Sequence, residues 1–143
     1  MKYRKASHAV YDCRYHIVWI TKYRRQILTE EIQNRLKIII EWVCKEMYVH
    51  ILALGFEEDH VHLYCSIPLT HPVPSVVHRL KWRTSKVIWE NFTKYLKQYY
   101  WEDHVLWAVW YFVATVWEIN AEVIKNYVEE QWKKDVLWEE IEL

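Results

Sequence analysis

The stretch "DHVHLY", residues 59 to 64, sets two histidines one residue apart in a run rich in β-branched and aromatic residues. Side chains alternate along a strand, so His60 and His62 share one face while Val61 and Leu63 share the other. Two imidazoles so placed can each give a ring nitrogen to one divalent ion. The plainer alternative is a pair of polar residues on the solvated face of a half-buried sheet. Asp59 beside them suits a third ligand, a residue that orients a ligand, or ordinary turn chemistry.

A second pair lies near the other end of the chain, in "VIKNYVEEQW". Tyr127 and Gln131 are four residues apart and so one helical turn apart, and Ile124 and Val128 turn that face toward the protein body. A tyrosine hydroxyl beside a divalent ion can attack a phosphodiester, and a glutamine carbonyl can complete the ion's shell. The plainer reading of Tyr127 is an amphipathic residue at the edge of a core. A third pattern joins charge to aromatic rings, in "RYHIVWITKYRR" and "HRLKWRTSK". Such segments offer salt-dependent phosphate contact and flat faces for unpaired bases, or form a solvated helix face. His8, His16, His50, His71, His78 and His104 fall into no ligand spacing with one another.

The elements that must position these residues follow from periodicity. "CRYHIVWITK" (13 to 22) reads as a strand. Thr29 is placed to cap a helix opening with Glu30 and Glu31, in which Ile32, Leu36, Ile39, Ile40, Val43 and Met47 recur at helical spacing. "VHILALGFEEDHVHLYCSI" (49 to 67) predicts two strands joined by an acidic turn, Glu57 to Asp59. "THPVPS" breaks the chain, and Ser75 is expected to cap a second helix with Val76, Val77, Leu80, Val87 and Ile88 on its apolar face. Arg79, Arg83 and Lys86 are spaced to lie in line on the other face. "LWAVWYFVATV" (106 to 116) predicts a fourth strand, and Asn120 opens a last helix over about residues 120 to 134. The order β-α-β-β-α-β-α fits an α+β fold: one antiparallel sheet with helices on one side, the ferredoxin-like or RNA-recognition-motif plan.

The chain's 143 residues make one ordinary domain, 1 to 143, able to bury roughly two thirds of its unfolded surface. Cys13, Cys44 and Cys65 are odd in number and lack C-x-x-C spacing, which argues against a disulfide framework or a cysteine zinc site and for a reducing cytoplasm. No apolar run approaches the roughly eighteen residues of a membrane span, and the N-terminus lacks an apolar signal core, so a soluble cytoplasmic protein is expected. Net charge is zero but uneven. Residues 1 to 25 carry seven Lys and Arg against one acid, and residues 118 to 143 carry eight acids against three lysines. The N-terminal part can meet phosphate; the C-terminal part cannot. Ten tryptophans stand against one glycine, Gly55, where average usage gives about ten glycines for this length.

Together, "YHIVWITKYRR", "DHVHLY", "RLKWRTSK", "LWAVWYFVATV" and "VIKNYVEEQW", in this order over nearly the whole chain, resemble the small single-tyrosine HUH (His-hydrophobe-His) transposases of insertion sequences that move as single-stranded DNA. The resemblance implies a ferredoxin-like sheet and a homodimer whose active sites pair the histidines of one subunit with the tyrosine helix of the other. By position it makes His60, His62 and Gln131 the ligands of Mg²⁺ or Mn²⁺ and Tyr127 the nucleophile. It implies cleavage and rejoining of single-stranded DNA at hairpin-marked ends through a 5′-phosphotyrosine. Arg14, Lys22, Arg24, Arg25, Arg79, Arg83 and Lys86 are the candidates for backbone contacts, chiefly on grounds of charge. The family usually carries small residues where this chain has Trp82, Trp110 and Trp117, the last at a turn that acts as a hinge for the tyrosine helix. Tryptophan does not easily take positive φ. The alternative is therefore a catalytically impaired or non-catalytic single-strand-binding module on the same fold, and a third reading is an unrelated metal hydrolase that uses His60 and His62 alone.

Overall fold

A computed structural model describes residues 3–101 and 104–116. The expected helix over 120 to 134, with Tyr127 and Gln131, and the expected hinge at Trp117 lie outside the described residues. Ten elements are present among those described: β1 (Arg4–Ala6), β2 (Ala9–Tyr11), β3 (Arg14–Thr21), a short 3-10 turn (Lys22–Arg24), α1 (Glu30–Glu46), β4 (His50–Phe56), β5 (His60–Ser66), α2 (Val73–Asn91), α3 (Thr93–Tyr100) and β6 (Trp107–Thr115). β4, β5, β3 and β6 lie in that order in one sheet, and every neighbouring pair is antiparallel. The expected α+β plan is the one observed, with the helices on one face of the sheet. β1 and β2 form a separate ribbon, fastened by Arg4, whose guanidinium donates to the carbonyls of Ser66 (3.1 Å) and Tyr48 (2.8 Å).

α1 starts where its sequence says it should. Thr29 is extended, and its hydroxyl accepts from the Ile32 amide at 3.3 Å, while Glu30 and Glu31 occupy the positive first turn. Ile32, Leu36, Ile39, Ile40, Val43 and Cys44 make the buried stripe, and Met47 closes it at the C-cap. α2 departs from expectation at its start. It begins at Val73 with Pro72 as the N-cap, so Ser75 is inside the first turn and its amide donates to the Pro72 carbonyl at 3.1 Å. Pro74 explains the earlier start: proline suits the first helical turn, where a missing N–H costs nothing and its φ is already helical. The buried stripe of α2 gains Thr84 and Trp89 beyond the expected Val76, Val77, Leu80 and Ile88.

The core lies between the helices and one face of the sheet, where Ile17 and Trp19 of β3 meet Val61, Leu63 and Cys65 of β5. Trp19 takes Trp107 of β6 edge-on, with ring centroids 6.0 Å apart. α2 is tied to β6 at the same place, since Trp107 Nε1 donates to Thr84 Oγ1 at 2.8 Å and Lys81 Nζ donates to the carbonyls of Ala108 (2.5 Å) and Val109 (3.0 Å). From Arg14 to Thr21 every residue but Tyr15 is buried, so the central strand is closed on both faces. Burial pushes the Cys44 thiol up to about 12 and the Cys65 thiol higher still. Neither is a nucleophile at neutral pH. No helix among the described residues is long and apolar enough to cross a membrane.

Candidate active site

β5 delivers the two histidines as alternation requires. Val61 and Leu63 are fully buried in the core, while His60 and His62 face the opposite side. Across the sheet His60 pairs with Ile20 and His62 with Val18, and on the other flank His62 pairs with Gly55 of β4. The face is only partly open: His60 is 2% exposed and His62 is half-buried. Their ring centroids are 6.1 Å apart, a separation one ion can span with nitrogens roughly 2 Å from the metal on each side.

Asp59 orients the first ring. Its Oδ1 lies 2.7 Å from His60 Nδ1, and its other oxygen is 3.9 Å from Arg24. Burial by itself would push the Asp59 carboxyl up, but the hydrogen bond to His60, the charge there and Arg24 together hold it below the usual carboxylate value. A carboxylate at Nδ1 favours the tautomer protonated there, which leaves Nε2 as the lone-pair nitrogen for a ligand. Of the roles open to Asp59, this geometry matches the orienting one. No three His, Cys, Asp or Glu side chains converge into a metal cage among the described residues. The pair thus fits a divalent ion as two nitrogen donors of a larger set, with the rest of the shell coming from elsewhere.

The basic residues divide by environment. The loop after β3 carries Lys22, Arg24 and Arg25, and is held at positive φ at Tyr23 (62°) and Arg24 (53°). Three hydroxyls hold its backbone: Tyr100 donates to the Lys22 carbonyl and Thr21 to that of Arg25, both at 2.7 Å, and Tyr95 donates to Ile27 at 3.0 Å. Lys22 sits 5.2 Å from the centroid of the exposed Tyr23 ring, and Arg25 lies over both Tyr23 and Tyr100. The backbone amides of Thr21 and Leu28 donate to Asp59 and Glu58, so this loop is fixed against the turn that leads into His60. On α2, Arg83 meets Glu46 of α1 at 3.0 Å and Arg79 meets it at 4.0 Å, whereas Lys86 lies over the Trp82 ring at 5.4 Å. Arg14 is placed differently from the others. It is 2% exposed, gripped by both oxygens of Asp12 at 2.6 and 2.8 Å and by the Tyr64 hydroxyl at 3.0 Å, so its guanidinium is not presented to solvent.

Sequence reading gave no role to Gly55, Tyr95 or Tyr100. A signal for the first was present, since a glycine inside a strand marks a close approach. The tyrosines belong to α3, a helix the sequence pattern did not suggest.

The family model described as "Transposase IS200 like" matches residues 9–131. The chain belongs to the IS200-like transposase family. Among curated IS200-like relatives, the transposase for insertion sequence element IS200 of Salmonella typhimurium is 29% identical over 140 residues, covering 98% of this chain and 90% of that protein. The ISDra2 transposase TnpA of Deinococcus radiodurans is 29% identical over 135 residues, covering 94% and 95%. Of solved structures, a candidate transposase from Deinococcus radiodurans superposes with a TM-score of 0.73 at 34% identity, covering 90% of this chain and 97% of that one. A REP-associated tyrosine transposase bound to a REP hairpin shares the fold, with a TM-score of 0.59 at 15% identity, covering 95% and 73%. The family read from the five motifs is thus the family found.

Proposed function

We propose that this IS200-like transposase cleaves and rejoins single-stranded DNA at hairpin-marked ends, with Tyr127 as nucleophile and His60, His62 and Gln131 as ligands of Mg²⁺ or Mn²⁺. The observation that carries the reading is the pairing of His60 and His62 on one face of β5, with Asp59 fixing the first ring. The Tyr127 hydroxyl attacks the scissile phosphorus, the new oxygen–phosphorus bond forms, and the bond to the 3′-oxygen breaks. The 3′-oxygen leaves and takes up a proton. The 5′ end stays on the tyrosine, and attack by another 3′-hydroxyl reverses the step, so the ester's energy is kept. A divalent ion held by His60, His62 and Gln131 would supply charge stabilisation to the reacting phosphate. Lys22, Arg24 and Arg25 beside the histidine turn, with Arg79, Arg83 and Lys86 on α2, are the proposed backbone contacts.

DNA as partner is supported by the fold neighbour bound to a REP hairpin. A homodimer is supported by β6, a sheet-edge strand that exposes Val109, Trp110 and Val113.

The test is a labelled single strand carrying a hairpin end, incubated with the protein and Mn²⁺. A covalent adduct that disappears in Tyr127→Phe is the expected result. A second reading, binding without cleavage, draws on Trp82 and Trp110, which stand 55% and 61% exposed as faces for unpaired bases. Tight binding with no adduct in the wild type would favour it, and cleavage that survives Tyr127→Phe would point to hydrolysis that does not use Tyr127.

A further inference from the structure

Gly55 and His62 are cross-strand partners, and a Cβ built on Gly55 would stand 2.3 Å from both Cε1 and Nε2 of the His62 ring and 3.2 Å from its Cδ2. The imidazole therefore lies where the side chain of residue 55 would otherwise be. Backbone conformation does not explain the glycine, because its φ is not positive. Among the described residues, positive φ is found instead at Tyr23, Arg24, Tyr48, Trp101 and His104, places where glycine is the usual residue. The chain thus builds its left-handed positions from bulky side chains and puts its single glycine under a histidine ring.

We infer that Gly55 is a positioning residue for His62: its missing side chain is the space that holds the imidazole on the metal-binding face, and a methyl group there displaces the ring. The inference rests on the reading of His60 and His62 as metal ligands. The atoms that a methyl group would strike are the far end of a half-buried side chain, not backbone, so the ring swings and the strand stays. His60 is unaffected, because Asp59 holds it from the turn. Gly55→Ala should leave a folded protein with one ligand in place and one misplaced.

Two readouts test this on the full chain. In the metal-free protein, the His62 Cε1–H resonance should shift in Gly55→Ala while that of His60 does not. Titration with Mn²⁺ should show an affinity about 10–100-fold lower, the range for groups that orient a ligand. In a His62→Ala background, Gly55→Ala should have no further effect on Mn²⁺ affinity, a comparison that holds even if the single variant is less stable. An unshifted His62 ring with wild-type Mn²⁺ affinity would overturn the inference, as would a further loss of affinity in the double variant. If His62→Ala itself binds Mn²⁺ like the wild type, the metal reading fails, and the His62 resonance alone then decides whether Gly55 positions the ring.

Discussion

Asp59 meets Nδ1 of His60 through Oδ1 at 2.7 Å and Arg24 through Oδ2 at 3.9 Å, and so joins the basic loop after β3 to the first histidine of the site. Removing that carboxylate leaves the ring in place but frees its rotation and tautomer. Asp59→Ala is expected to lower Mn²⁺ affinity about 10–100-fold. Isothermal titration would check this, with circular dichroism showing the same secondary structure.

Arg14 and Lys86 should separate stability from DNA contact. Arg14→Met removes one side of a buried pair, but Asp12 keeps 18% exposure and can rehydrate. The cost is expected at about 3 kcal/mol, the low end for such a loss. Lys86→Ala should leave the urea midpoint unchanged and reduce the slope of log affinity against log salt by about 0.7 for a single strand. Fluorescence anisotropy over a salt series, with urea unfolding of both variants, distinguishes the two.

Tyr100 should make stability pH-dependent at the alkaline end. Burial pushes its hydroxyl up to about 12, against an ordinary value of 10.0, and that hydroxyl donates to the Lys22 carbonyl. A group whose folded value is raised stabilises the fold fully below its unfolded value and loses that contribution as pH rises through the folded one. Tyr100→Phe should cost about 1 kcal/mol below pH 10 and flatten the decline between 10 and 12. Urea unfolding across that window would show a curve as steep as the wild type's if the hydroxyl played no part.

Thr84 accepts from the Trp107 indole while its own hydroxyl donates to the Leu80 carbonyl at 2.6 Å. Thr84→Val keeps the shape and strands a buried N–H. Destabilisation by about 1–3 kcal/mol is expected, measured as a lower urea midpoint, because the other partner remains in place.

What the sequence made legible was whatever local chemistry decides. Thr29 with two following glutamates marked the start of α1, the acidic turn marked the β4–β5 hairpin, and alternation put His60 and His62 together. Ser75 misled because Pro72 and Pro74 open a helix without any side-chain cap. The burial of Arg14 against Asp12 and Tyr64, and the pairing of Arg83 with Glu46, involve partners two to fifty positions away, which charge spacing along one element does not encode. Gly55 was visible only as a composition oddity until the register placed it under His62.

Both borders of the described sheet are interrupted. β4 carries an extra residue at Leu52, where its pairing with β5 slips between Ile51 and Ala53. β6 pairs regularly with β3 from Tyr111 to Thr115, but its register slips between Trp107 and Tyr111. A bulge twists a border away from further pairing. Each border therefore offers only a short regular run to a further strand, which works against open-ended stacking of copies into a fibre.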